Sequence, residues 1–145
     1  MNSSFLTLFL VAFTAVGFSL ADNATDEQVA ARSDVIDLAG AFQNDGFKIR
    51  DGDWFGKIAK DHSEIISVNL YTGNAYWFTV ASPNKAAKIN LSVFDDQGKP
   101  VSVEPYDADN RAAAGFSPDA SGLYYVKVSL AEGGPSTFCL IYTYK

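Results

Sequence analysis

Ser117-Pro118-Asp119-Ala120-Ser121-Gly122-Leu123-Tyr124-Tyr125-Val126-Lys127-Val128-Ser129-Leu130 is the stretch that decides the fold class. A polar turn on Pro118, Asp119 and Gly122 runs straight into β-forming residues. Tyr124, Val126, Val128 and Leu130 fall on one face; Tyr125, Lys127 and Ser129 fall on the other. Successive side chains of a strand leave on opposite sides, so this alternation marks a strand with one buried face.

The same signature recurs on both sides of it. Upstream, Glu64–Leu70 places Ile66, Val68 and Leu70 on one face. Ala75–Ala81 turns Tyr76, Phe78 and Val80 inward and leaves Trp77 outward. Ala86–Phe94 does the same with Ile89, Leu91 and Val93. A short strand is expected at Val101–Glu104, then a polar loop over Pro105–Asn110. Arg111–Phe116 is Ala-rich but brief and bracketed by Gly115 and Pro118, so it reads as strand. Thr137–Tyr144 supplies the last strand. Further upstream, Asp51-Gly52 between Phe47–Arg50 and Asp53–Ile58 has the form of a hairpin turn. Short strands separated by turn chemistry indicate an antiparallel β-sandwich rather than alternating β/α units.

The N-terminal part is different. Thr25-Asp26-Glu27-Gln28 has the form of a capping box, with a hydroxyl at the cap and Gln three residues on. A helix is expected from Asp26 to about Gln43, with Val29, Ile36 and Ala39 on a stripe flanked by Val35, Leu38 and Phe42. Its apolar stripe packs on its own domain or docks a partner. Met1 to Ala21 carries no charged side chain, and Ser19-Leu20-Ala21 places small residues where a signal peptidase reads. The expected organisation is a signal peptide over residues 1–21, a helix segment over 22–45 and a sandwich over 46–145. Cleavage after Ala21 gives a secreted or periplasmic protein, and no cysteine follows the apolar run to take a lipid anchor.

Composition removes several function classes. A net charge of −6 on 145 residues lacks the basic footprint of a nucleic-acid binder. The one cysteine, Cys139, allows no intrachain disulfide and sits in the apolar run Phe138–Tyr142, where an inert buried thiol is expected. The one histidine, His62, lies in a polar turn without zinc-ligand spacing or a nucleophile turn. No glycine-rich phosphate loop opens a helix, so nucleotide binding has no support.

Two sets of candidate binding residues remain. Asp95, Asp96, Asp107 and Asp109 lie in loops and offer oxygen ligands to calcium if those loops are neighbours, although Asp also simply favours turns. Trp54, Trp77 and Tyr125 are the aromatics expected to face outward, suited to a sugar or a partner protein unless the helix or hairpin covers them. Asn23-Ala-Thr25 and Asn90-Leu-Ser92 match glycosylation sequons, which matter only in a eukaryotic host.

From Glu64 onward the order of features resembles the bacterial pre-peptidase C-terminal domain. The likeness rests on Val68-Asn-Leu70, Gly73-Asn-Ala-Tyr-Trp-Phe78, Ile89-Asn-Leu-Ser-Val-Phe-Asp-Asp-Gln-Gly98 and Ser121-Gly-Leu-Tyr-Tyr-Val-Lys-Val128. The resemblance implies a mainly all-β fold, an antiparallel jelly-roll-like β-sandwich, here with one N-terminal α-helix after a signal peptide. It also implies a non-catalytic module, since such modules accompany exported hydrolases and serve export, solubility or attachment. With only the leader and residues 22–63 ahead of it, a free-standing member is expected. The expected function is therefore binding or accessory, with an exported protein, a surface or a glycan as partner. Carbohydrate binding through Trp54, Trp77 and Tyr125, and a calcium-stabilised structural module, are the alternatives.

Overall fold

The computed structural model describes residues 24–145. The expected signal peptide and its cleavage point lie outside the described residues. Helix α1 (Asp26–Gln43) is followed by β1 (Lys48–Ile49), β2 (Trp54–Ile58), β3 (Glu64–Leu70), β4 (Tyr76–Ala81) and β5 (Lys88–Phe94). Then come β6 (Glu104–Ala108), β7 (Arg111–Phe116), β8 (Gly122–Glu132) and β9 (Ser136–Tyr144). The protein is mainly β, as expected.

The strands form two antiparallel sheets. The larger runs β1-β9-β4-β7-β6, with β2 also on β9; the smaller runs β3-β8-β5. The opening stretch becomes β8, the centre of the smaller sheet, and its alternation survives intact. Tyr124, Val126, Val128 and Leu130 are buried against the larger sheet, while Tyr125, Lys127 and Ser129 are half-exposed on the outer face. Opposite them, Tyr76, Phe78 and Val80 of β4 and Phe138, Leu140 and Tyr142 of β9 complete the core. Ala112 and Ala114 of β7 face the same interior, and their small size leaves room for the β4 rings. That accounts for an Ala-rich segment standing as a strand.

The helix adds a third layer. Thr25 caps α1 with the expected box: its hydroxyl accepts from the Gln28 N–H at 3.2 Å, and Gln28 accepts from the Thr25 N–H at 2.9 Å. Ala31, Val35 and Ala39 pack on Ala81, Cys139 and Ile141, the outward residues of β4 and β9. Ion pairs hold the helix down: Arg32 to Asp53 at 2.7 Å, and Asp34 to both Lys85 and Arg111 at 3.2 Å. The stripe differs from the expected one at its start. Val29 is 58% exposed, and Ala31 is buried instead. Alanines let the helix come close to the sheet, so side-chain size selected the face. No described helix is long and apolar enough to cross a membrane.

Two strand expectations are corrected. The Asp51-Gly52 hairpin does not form. Both β1 and β2 pair with β9, as one interrupted edge strand. The register slips between Ile49↔Thr143 and Trp54↔Leu140, and Gly52, with φ +109°, takes up the extra residues as a bulge. The expected strand at Val101–Glu104 and loop at Pro105–Asn110 also shift, because strand β6 covers Glu104–Ala108. It is a free edge, where Pro105 costs no ladder bond, and exposure of most of its side chains erased the alternation.

Candidate functional site

One end of the sandwich carries a cleft of about 760 Å³. Besides the C-terminal Lys145, four chain segments meet there: the turn after α1 (Asp45, Phe47), the start of β4 (Ala75–Trp77), the β5–β6 connection with the first residue of β6 (Asp95, Lys99–Ser102, Glu104) and the end of β7 with the β7–β8 loop (Phe116, Ser117, Asp119, Ala120). Each of the last three is a stretch whose turn chemistry was legible. Their meeting follows from the topology, since β4 and β7 are neighbours and β8 crosses to the facing sheet.

The walls are held by internal hydrogen bonds. The Tyr124 hydroxyl donates to the Ala120 carbonyl at 2.7 Å and closes the β7–β8 loop on itself. The Tyr71 N–H and the Asn74 side-chain amide donate to the Tyr76 hydroxyl at 2.9 and 3.1 Å. The Thr72 N–H donates to the Ser121 hydroxyl at 2.9 Å, joining the β3–β4 turn to the β7–β8 loop. Asp95 accepts the N–H groups of Gln97 and Lys99 at 3.0 and 2.9 Å, which spends its carboxylate on the turn.

Trp77 leaves the core face as expected, but it is covered. Phe42 of α1 stacks on it with ring centroids 4.4 Å apart and planes at 13°. Its other face lies against Gly115, where an added Cβ would come within 2.9 Å of the indole. Trp54 points into the core and stacks on Tyr142 at 5.7 Å, so the expectation that it faces outward is corrected. Tyr125 lies between Ser67 and Phe94 on the outer face of the smaller sheet. The three aromatics therefore sit on three separate surfaces and form no common platform for a sugar.

The carboxylates expected to gather around calcium are likewise apart. Asp95 and Asp96 follow the end of β5, whereas the Asp109 carbonyl accepts the Ile89 N–H at the start of β5. The length of that strand separates the pairs by about 20 Å. Among the described residues no group of three or more His, Cys, Asp or Glu side chains comes together as a metal cage. Asp109 instead adopts the left-handed conformation of a tight turn, φ 52°.

His62 lies outside the cleft, in the β2–β3 turn, and its Nε2 is 2.8 Å from Glu64 Oε1 on an exposed surface. Among the described residues the cleft walls hold no histidine or cysteine to activate Ser102 or Ser117 as a nucleophile. What the cleft offers is shape, aromatic edges and carboxylates. Sequence reasoning placed Trp77 and Asp95 among the candidates but missed Asp45, Glu104 and Asp119. Nothing in their local sequence says that these residues meet.

Cys139 is fully buried beneath α1. Burial, reinforced by Asp53 and opposed by Arg32, pushes its thiol from 9.0 to about 12. The folded protein thus favours the neutral thiol. Its contribution to stability is complete below pH 9.0, where the thiol of the unfolded chain begins to ionise, and is lost as pH rises toward about 12. Melting temperature should fall across that alkaline window, and Cys139→Ala should fall less steeply. Identical alkaline profiles for the two proteins would contradict the assignment.

Comparison with known proteins fixes the fold. No family model matches the chain, and no curated protein matches it in sequence. Among solved structures, a periplasmic lysozyme inhibitor of g-type lysozyme from Aeromonas hydrophila aligns with TM-score 0.50 at 14% identity, covering 65% of this chain and 85% of that one. The pre-peptidase C-terminal domain of a Bacillus anthracis collagenase aligns with TM-score 0.46 at 19% identity, covering 63% and 87%. The likeness is one of fold and leaves the site to be argued from its own residues.

Proposed function

We propose that this chain is an exported, non-catalytic β-sandwich module that binds another protein through the cleft at the end of β4 and β7. The observation that carries the reading is the cleft itself. It is sizeable, its walls are tied together by internal hydrogen bonds, and among the described residues its lining holds no histidine or cysteine. The export part of the reading is supported by the signal-peptide-like sequence expected over residues 1–21. The A. hydrophila neighbour, described as a lysozyme inhibitor, supports the reading only in that a sandwich of this fold serves a protein-binding task there. Glycan binding is disfavoured because both faces of Trp77 are occupied and Trp54 points inward.

The test is capture on the immobilised protein from envelope and medium extracts, with purified g-type lysozyme as one defined probe. Ser102 is an exposed cleft residue, so Ser102→Trp fills the site without touching the core. Wild type should retain a protein that Ser102→Trp binds about tenfold more weakly, equivalent to about 1.4 kcal/mol, at unchanged melting temperature. Equal retention by both proteins, or retention of glycan alone, would refute the reading.

A further inference from the structure

We propose that the end of α1, from Gly40 through the turn to Phe47, is a lid over Trp77 that unwinds to admit the partner protein, a regulatory step that rests on the cleft being the binding surface. The helix is held unevenly along its length. Its buried residues are Ala31, Val35, Leu38 and Ala39, all ahead of Gly40. Among the described residues its ion pairs, from Arg32 and Asp34, lie in its first half. Beyond Ala39 the helix is held to the sheet by Phe42, half-buried on the Trp77 ring.

The backbone is weak at the same place. Gly40 stands inside the helix, where glycine loses more conformational freedom than any other residue. The end of the helix then tightens. The Asp45 and Gly46 N–H groups donate to the Phe42 and Gln43 carbonyls, three residues back, at 3.1 and 3.0 Å. Bonds of that spacing have poorer geometry than those of a full α-turn. No basic residue in the last turn offsets the negative end of the helix dipole. The outer latch is one flexible side chain: the Lys145 ammonium donates to the Asp45 carbonyl at 3.0 Å and lies 4.4 Å from the centroid of the Phe47 ring.

The floor under the lid carries a cost that opening removes. Thr143, the cross-strand neighbour of Trp77 on β9, is fully buried, and its hydroxyl has no hydrogen-bond partner among the described residues. A buried hydroxyl left unpaired destabilises the state that buries it, and water reaches it once the helix end lifts. Trp77 itself stays in place, since β4 is paired on both sides and the indole rests on Gly115. Opening therefore adds the ring face that Phe42 covers to a cleft that Asp45, Phe47 and Trp77 already line. The partner binds the open form, so its apparent affinity scales with the fraction of molecules that are open.

The test combines nuclear magnetic resonance relaxation dispersion with partner capture, on the whole protein and three variants. Wild type should show microsecond-to-millisecond exchange at the amides of Gly40 to Phe47 and at the Trp77 indole N–H, with Ala31 to Leu38 quiet. A Cβ added at Gly40 meets nothing within 4 Å, so Gly40→Ala stiffens the turn without a clash. It should raise the melting temperature, lower the open population and weaken capture about fivefold. Thr143→Val removes the unpaired hydroxyl at nearly constant shape and should move all three readouts the same way. Phe42→Ala should raise the open population and tighten capture. Exchange absent from the helix end, or capture unchanged in Gly40→Ala and Phe42→Ala alike, would overturn the lid. Ser102→Trp separates the two claims. If it weakens capture while Gly40→Ala and Phe42→Ala capture like wild type, the cleft remains the binding surface and the lid is wrong. If Ser102→Trp captures normally, both fail.

Discussion

Phe78→Ala is expected to cost about 3–5 kcal/mol of stability, the usual range for emptying a buried aromatic site. Phe78 is fully buried at the middle of β4, and its ring packs 5.4 Å from Tyr142 and 6.4 Å from Tyr76. Its cross-strand neighbour on β7 is Ala114, whose methyl group cannot expand into the vacated space. Collapse would require movement of β4, which is held in register between β7 and β9. Thermal unfolding should show a fall of roughly 10–20 °C for a domain of this size. Phe78→Leu should recover much of it. A loss under about 1 kcal/mol for Phe78→Ala would mean that the two sheets do not meet at this ring.

Val35→Asp should act on the other layer with comparable force. Val35 is fully buried between α1 and the larger sheet, surrounded by Ala31, Ala39, Ala81, Cys139 and Ile141. No cation belongs to that cluster, so a carboxylate there would be buried unpaired. Lost apolar burial and the cost of the charge together exceed about 3 kcal/mol. The cheaper response is for the helix to leave the sheet. Three readouts should then change together. Helical circular dichroism should fall, Trp77 emission should move to the red as Phe42 departs, and Cys139 should react with a thiol reagent that the wild-type fold excludes. A variant that melts cooperatively near the wild-type temperature, with Cys139 still unreactive, would contradict a helix seated on β4 and β9.

These two layers were unequally legible in the sequence. Alternation around Val126 announced a strand with one buried face, because β8 looks across a single interface; β4, around Phe78, is buried on both faces, since α1 covers Ala81 and Trp77. The end of the chain, Ser136–Thr143, is buried at every position, since α1 covers one face of β9 and the smaller sheet the other. Its unbroken apolar run is the mark of a strand buried on both sides. The capping box located the start of α1, but the choice between Val29 and Ala31 turned on how closely the helix could approach Ala81. That distance is a property of the assembled layers. Likewise, Asp51-Gly52 has the local chemistry of a hairpin and of a bulge alike. The decision lay with β9, which offers one long edge to both β1 and β2.

The cleft was least legible for the same reason. Asp45 and Asp119 come from polar turns and Glu104 from the start of the exposed edge strand β6, and only the strand order brings them together. Asp95, Asp96, Asp107 and Asp109 show the converse. They look alike in sequence and are parted by the length of β5.

Site-specific photo-crosslinking would test the binding role most directly. A benzophenone amino acid placed at Ser102 stands in the cleft, and one at Ser67 stands exposed on the outer face of the smaller sheet. Irradiation in the native extract should join one protein partner to position 102 and none to position 67. Crosslinks from position 67 alone, or from neither position, would contradict a protein-binding cleft at this end of the sandwich.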